Sequence, residues 1–156
     1  MFKERKFIKI TLFFLIISFS NNLFAKKAAI IIDFDTKETL FEINADTLNF
    51  PASLTKVMTL YITFDYLHKN KLSLETNMEV SHIAASRSPS KLYLEEGSFI
   101  SVENAIMALI VKSANDVATV LAEHISGTER EFAKLMTNYA RDIGMSKTTF
   151  KNASGL

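Results

Sequence analysis

The segment Pro51-Ala52-Ser53-Leu54-Thr55-Lys56-Val57-Met58 places a serine and a lysine three positions apart at the start of an apolar stretch long enough for a buried helix. Residues three apart lie on the same face of a helix. In a helix that begins near Ser53, the serine hydroxyl lies where free backbone N–H groups and the positive end of the helix dipole favour developing negative charge. The Lys56 amine follows one turn later. A serine beside a base is an arrangement for covalent catalysis.

A second S-x-x-K, Ser88-Pro89-Ser90-Lys91, tests whether this spacing alone is informative. It lies in a loop-like segment, and Pro89 disfavours a helical conformation at Ser88. We therefore do not expect Lys91 and Ser88 to lie on the same face of a helix. Context favours Ser53 and Lys56 as the nucleophile and its base.

Residues 1–25 have the pattern of a secretory signal peptide, with a basic start, an apolar core from Ile10 to Phe19 and Leu23-Phe24-Ala25 before Lys26. The core of ten residues is too short to span a bilayer, which needs roughly 20. We predict cleavage after Ala25, export to the periplasm or cell envelope, and one domain over residues 26–156.

Composition and motif content exclude several classes of function. Without residues 1–25 the chain carries a formal charge of −2, from 14 Lys and Arg against 16 Asp and Glu, so no nucleic-acid footprint is present. The chain has no cysteine, no H-E-x-x-H and no phosphate-binding glycine loop. The three histidines, His68, His82 and His124, have no catalytic or metal-binding spacing. We expect no metal and no cofactor.

Hydrophobic periodicity predicts a β-hairpin followed by a largely helical region. The hairpin strands are expected at 28–33 and 39–43, and a short strand at 78–80. Residues 53–68 are apolar nearly all round, which is typical of a buried central helix.

Three further helices have recognisable ends. Ser101 is predicted to cap a helix through Val111, whose buried face is Ala105, Ile106, Leu109 and Ile110. A second helix is expected from Asp116 to Ile125, stopped by Gly127. A third opens with the capping box at Thr128 and ends before Gly144.

The polar break Lys112-Ser113-Ala114-Asn115-Asp116, between two apolar helices, could bring a second set of polar groups to Ser53. Ser113 could relay a proton to a leaving amine, and Asn115 could hold a substrate amide. Lys56 can act as a base only if its pKa lies well below the usual value of about 10.4, which burial or a second cation can achieve. The structural alternative is that Ser53 caps its helix, Lys56 is solvated and Asn115 caps the next helix.

Taken together, five segments resemble the D-alanyl-D-alanine carboxypeptidases, which are low-molecular-mass penicillin-binding proteins characterised by S-x-x-K, S-x-N and K-T-G motifs. The matching segments are P-A-S-L-T-K-V-M-T (51–59), S-A-N-D-V-A (113–118), Asn44-Ala45-Asp46 after the hairpin, R-S-P-S-K-L-Y-L (87–94) followed by Glu96-Gly97, and F-K-N-A-S-G-L (150–156). The resemblance implies an α+β fold of the penicillin-binding protein and serine β-lactamase type.

The resemblance also implies roles for the residues already singled out. Ser53 would attack the carbonyl of the penultimate D-alanine of a peptidoglycan stem peptide, with Lys56 as the base. Ser113 would relay a proton to the departing D-alanine, and Asn115 would bind the substrate backbone. β-Lactams would act as covalent inhibitors that leave a slowly hydrolysed adduct on Ser53.

No Lys-Thr-Gly or Lys-Ser-Gly triplet occurs in the 156 residues. The resemblance implies that the strand carrying this triplet follows after Leu156. We therefore expect an incomplete fold, with the N-terminal hairpin, the helical part and an exposed apolar helix face. Three alternatives stay open: a D,D-endopeptidase or a β-lactamase of the same fold, and a non-catalytic truncated remnant.

Overall fold

The computed structural model describes residues 27–156, which divide into two compact units with their boundary in the chain between Asn49 and Phe50. The predicted signal peptide lies outside the described residues. Strands β1 (Ala29–Ile32) and β2 (Thr39–Ile43) form the first unit as an antiparallel hairpin, with Ile31 opposite Phe41. Asp33 closes the turn because its Oδ1 accepts the Thr36 N–H at 2.8 Å. The predicted hairpin is confirmed.

The second unit contains five α-helices and a small antiparallel sheet. Its elements are α1 (Thr55–His68), β3 (Asn77–Glu79), α2 (His82–Ala85), β4 (Phe99–Ser101), α3 (Val102–Lys112), α4 (Asn115–Ser126) and α5 (Glu129–Asp142). The sheet pairs Met78 with Ile100, so the short strand predicted around residue 78 is confirmed, and its partner was not predicted. With the hairpin, these elements form the expected α+β arrangement.

Two helices begin with the capping residues that the sequence predicts. The Ser101 hydroxyl accepts the Asn104 N–H at 3.2 Å, and the Thr128 hydroxyl accepts the Glu131 N–H at 3.2 Å. The helix predicted from Asp116 to Ile125 spans Asn115–Ser126 with Ala114 as its N-cap, so the structural alternative that Asn115 caps this helix is wrong. Gly127, with φ of +75°, ends that helix as predicted.

The central helix of the second unit is α4 and not α1, which corrects the sequence prediction. Every residue from Asn115 to Ala122 is buried, because α1, α2, α3, α5 and β3 all pack against this helix. The apolar core around it includes Ile62, Met78, Val80, Phe132 and Met136.

Helix α1 buries a mixed face and exposes an apolar one. Its exposed apolar side chains are Val57, Tyr61 and Phe64, and Leu54 precedes them in the turn before the helix. The expected exposed apolar face is therefore confirmed. The predicted burial of Ile110 is wrong, since that side chain is 59% exposed while Ala105, Ile106 and Leu109 are buried.

Candidate active site

Ser53 lies in a short turn of 3₁₀ helix, Ala52–Leu54, that leads directly into α1 at Thr55. The residue is exposed, so a substrate can reach its hydroxyl. Ala52 has a φ of +48°, a left-handed conformation that a residue with a Cβ rarely adopts. The backbone thus turns sharply before the serine, and Ser53 lies at the N-terminal end of α1.

Lys56 lies in the first turn of α1 and is close to Ser53. Its Nζ is 3.3 Å from the Ser53 Oγ and donates a second hydrogen bond of 2.9 Å to the Ser154 carbonyl. The side chain is buried, with 3% of the residue exposed, so the alternative of a solvated lysine is wrong. The contact expected from the spacing is present.

The surroundings of Lys56 favour its neutral form. Burial lowers the pKa of the ammonium below its ordinary value, because desolvation penalises the charged form. Among residues 27–156, no carboxylate forms an ion pair with Lys56. An amine with a lowered pKa, in contact with a serine hydroxyl, can accept the hydroxyl proton.

The C-terminal segment supplies the polar partners of the buried face of α1. The Thr59 hydroxyl donates to the Ala153 carbonyl at 2.7 Å, beside the bond from Lys56 to Ser154. Gly155, with φ of +84°, lies against the turn before α1, and a Cβ there would be 2.8 Å from the Thr55 Oγ1. Only glycine fits this close approach.

Sequence reasoning did not identify the carbonyls of Ala153 and Ser154 as partners of Lys56. A signal was available, since the polar residues Lys56, Thr59 and Thr63 recur every three or four positions in an otherwise apolar helix. Such a polar stripe on a buried helix requires hydrogen-bond acceptors from another segment.

Ser113 and Asn115 lie in the turn between α3 and α4. Ser113 adopts the left-handed conformation, with φ of 55° and ψ of 43°, and ends α3. Within the described residues, the Ser113 hydroxyl makes no hydrogen bond to Ser53 or Lys56. The Asn115 side-chain amide donates to the Ser88 carbonyl at 3.0 Å, and its backbone N–H donates to the Ser90 carbonyl at 2.7 Å.

The second S-x-x-K forms no serine–lysine pair. The Lys91 Nζ donates to the Ala85 carbonyl at 3.0 Å, and the Ser90 hydroxyl donates to the Lys112 carbonyl at 2.8 Å. This segment is instead a loop over the start of α4, where the buried Asp116 carboxylate accepts the N–H groups of Leu92 and Leu94. The expectation that Lys91 lies off the face of Ser88 is confirmed.

No group of three or more His, Asp or Glu side chains in residues 27–156 could hold a metal ion. Within the same residues, no helix is long and apolar enough to cross a membrane.

Solved structures with the same fold identify the class of protein. A carboxypeptidase structure, DacD from Francisella tularensis, superimposes with a TM-score of 0.81 at 40% identity, over 86% of this chain and 32% of that chain. Penicillin-binding protein D2 from Listeria monocytogenes, in its ampicillin-bound form, superimposes with a TM-score of 0.74 at 34% identity, over 87% of this chain and 54% of that chain. The fold is that of the penicillin-binding proteins.

Sequence comparison narrows this class to one family. The family model of the D-alanyl-D-alanine carboxypeptidases matches residues 18–156. The carboxypeptidase DacF of Bacillus subtilis is 36% identical over 130 residues, which are 83% of this chain and 33% of that relative. The chain belongs to the D-alanyl-D-alanine carboxypeptidase family, and it spans about one third of the length of this curated relative.

Proposed function

We propose that this chain carries the acylation centre of a serine-type D-Ala-D-Ala carboxypeptidase that acts on peptidoglycan stem peptides in the periplasm or cell envelope. The observation that carries the proposal is the 3.3 Å contact between the Ser53 Oγ and the buried Lys56 Nζ. Burial lowers the pKa of this amine, which suits a general base. The signal-like residues 1–25 support export.

Acylation begins with transfer of the Ser53 hydroxyl proton to the neutral Lys56 amine. The Ser53 Oγ then bonds to the carbonyl carbon of the penultimate D-alanine, and the oxygen of that carbonyl takes the negative charge. The Ser53 backbone N–H is one candidate donor to this oxyanion. The hydrogen bond to the Ser154 carbonyl holds the amine in place, and its 2.9 Å length supports this positioning.

Collapse of the tetrahedral intermediate breaks the peptide bond and releases the terminal D-alanine. The proton taken up by Lys56 passes through the Ser113 hydroxyl to the leaving amine. Water then hydrolyses the ester, which returns the Ser53 hydroxyl and releases the shortened peptide. Asn115 binds the substrate backbone in this scheme, and it would exchange its bond to the Ser88 carbonyl for a bond to the substrate.

β-Lactams would acylate the same serine, because their strained amide places a carbonyl where the peptide carbonyl lies. The related Listeria protein in its ampicillin-bound form supports this expectation. The sequence contains no Lys-Thr-Gly, the motif expected to help bind the substrate and to supply the second oxyanion donor. Loss of one such donor costs about 2.7–4 kcal/mol, so we expect slow reactions with this chain.

The test is release of D-alanine from a peptide ending in D-Ala-D-Ala, followed by mass spectrometry over long incubations. We expect release above the level of the Ser53→Ala variant. A folded chain that releases no more than this variant contradicts the proposal. Cleavage of a cross-linked peptide dimer in preference to the linear peptide identifies a D,D-endopeptidase, and turnover of penicillin identifies a β-lactamase.

A further inference from the structure

The Glu129 side chain joins two segments that are far apart in the sequence. Its Oε1 accepts the Ala153 backbone N–H at 3.0 Å, and its Oε2 pairs with the Arg87 guanidinium. Only 13% of the Glu129 side chain and 31% of the Arg87 side chain are exposed. Hydrogen bonds of this charge-assisted kind are among the strongest in proteins.

Each of the two segments also contacts a candidate site residue. Ala153 precedes Ser154, whose carbonyl accepts the hydrogen bond from Lys56. Arg87 precedes Ser88, whose carbonyl accepts the hydrogen bond from the Asn115 side chain. The Glu129 carboxylate thus contacts the two residues that directly precede Ser154 and Ser88 in the sequence. The carbonyls of these two serines are the hydrogen-bond acceptors of the candidate base and of the candidate substrate-binding amide.

A third contact fixes the direction of the Arg87 guanidinium. Its Nε donates to the Thr119 Oγ1 at 2.9 Å, and the same hydroxyl is 3.3 Å from the Asn115 carbonyl in α4. Thr119 is fully buried, so this hydrogen bond holds the Arg87 side chain against the central helix. A lysine could not form this set of bonds, since it lacks the planar fork.

We propose that Glu129 and Arg87 are positioning residues that hold Lys56 and Asn115 in register with Ser53. The ion pair fixes the peptide units of Ala153 and Ser88, and these units fix the carbonyl acceptors. Displacements on the order of 1 Å at such acceptors are large enough to impair a reaction that depends on orientation. The catalytic consequence rests on the proposed function, whereas the positioning itself is a property of the fold.

The test compares Glu129→Gln with the matched control Glu131→Gln. Both residues lie in the first turn of α5, but Glu131 is more exposed and, among residues 27–156, forms ion pairs with its near neighbours Arg130 and Lys134. Glutamine keeps the shape at position 129 and loses the charge that holds Arg87. Circular dichroism and thermal unfolding first establish that each variant is folded.

Two readouts then report on position without any substrate. Hydrogen exchange at the Ala153 amide should be about tenfold faster in Glu129→Gln, because its acceptor is weakened. The pH midpoint for modification of Lys56 by acetic anhydride, followed by mass spectrometry, should rise toward the value of an ordinary lysine, because water gains access to the amine. Glu131→Gln should change neither.

A folded Glu129→Gln variant with both readouts unchanged overturns the proposal. If that variant does not fold, Arg87→Lys is measured by exchange at the Asn115 amide, whose acceptor is the Ser90 carbonyl. Faster exchange supports the positioning role, and unchanged exchange overturns it. The proposed function is tested separately, by acylation of the parent chain. If the parent chain is never acylated but the exchange and modification readouts shift in Glu129→Gln, the positioning role is supported and the proposed function is contradicted. If the parent chain is acylated and the two readouts do not shift, only the positioning role is overturned.

Discussion

The Lys56 side-chain amine donates a 2.9 Å hydrogen bond to the carbonyl of Ser154, which lies 98 positions later in the chain. This bond ties α1, which begins two residues after Ser53 and carries Lys56, to the C-terminal segment. Thr59 adds a parallel bond to the Ala153 carbonyl, and Gly155 packs on the turn that contains Ser53. The geometry of the candidate nucleophile and base therefore depends on a segment far away in the sequence.

Gly155→Ala should disturb the turn at Ser53 more than an ordinary glycine substitution does. The new Cβ would meet the Ala52 carbonyl oxygen and lie 2.6 Å from the carbonyl carbon, so the backbone must move. We expect a loss of about 2–4 kcal/mol in the free energy of unfolding, as the sum of left-handed strain and overpacking.

Gly144→Ala is the matched control for this change. Gly144 has a similar φ of +88°, but a Cβ there meets nothing within 4 Å. The control should lose only about 1 kcal/mol, measured by urea unfolding. Equal losses in the two variants would mean that the close approach at Gly155 is unimportant.

Thr59→Val should destabilise the chain more than Thr63→Val. The Thr59 hydroxyl donates to the Ala153 carbonyl of another segment, whereas the Thr63 hydroxyl donates to the Thr59 carbonyl of its own helix. Removing the first leaves a buried carbonyl without its partner, at a cost of about 1–3 kcal/mol. Removing the Thr63 hydroxyl should cost well under this amount. Its hydrogen bond goes to a carbonyl of its own helix, and such side-chain bonds compete with the backbone bonds of the helix. Similar unfolding free energies for the two variants would contradict this account of the α1 contact.

The stability of the chain should depend on pH through Lys56. Because its folded-state pKa is lowered, the unfolded chain binds more protons between that pKa and the ordinary value of about 10.4. Stability therefore rises with pH across this window and is reduced below it. Lys56→Met removes the group, so the parent should gain stability relative to this variant as pH rises toward 10.

The comparison with Lys56→Met also cancels other titrations. Tyr139, for example, has a pKa raised by burial and by its hydrogen bond to Asp65, but both chains share it. Urea unfolding at a series of pH values gives the difference directly. A difference that stays flat or falls between neutral pH and pH 10 would mean that Lys56 is not held with a lowered pKa.

Ser113→Gly should separate backbone strain from the chemistry of the hydroxyl. Ser113 has a φ of 55°, which costs an L-residue roughly 1–2 kcal/mol and glycine almost nothing. The variant should be as stable as the parent or up to ~1 kcal/mol more stable. If Ser113 acts as the proposed proton relay, acylation should slow by about 10²-fold or more. Ser113→Ala should slow acylation equally without gaining stability. Acylation at the parental rate in Ser113→Gly would exclude the relay role.

Local patterns in the sequence predicted the parts of the structure that depend on near neighbours. The 3.3 Å contact of Ser53 with Lys56 follows from a spacing of three, and the caps at Ser101 and Thr128 follow from side-chain bonds to the next turn. The hairpin at 29–43 follows from alternating β-branched residues and a polar turn.

The contacts that the sequence did not reveal are those set by topology. The carbonyls of Ala153 and Ser154 carry no side-chain signature, so nothing local marks them as partners of α1. The burial of α4 and the exposure of Ile110 depend on which helices surround each position. The link from Glu129 to Arg87 joins residues 42 positions apart, and in the sequence each is an ordinary charged residue.

In the proposed function, Ser53 is an acyl-accepting nucleophile activated by Lys56. Incubation of the chain with a labelled penicillin, followed by peptide mass spectrometry, detects acylation of this serine. We predict an adduct on the peptide that contains Ser53, absent in Ser53→Ala and retained in Ser88→Ala, the serine of the second S-x-x-K. A folded chain without an adduct, or labelling that persists in Ser53→Ala, would contradict the claim.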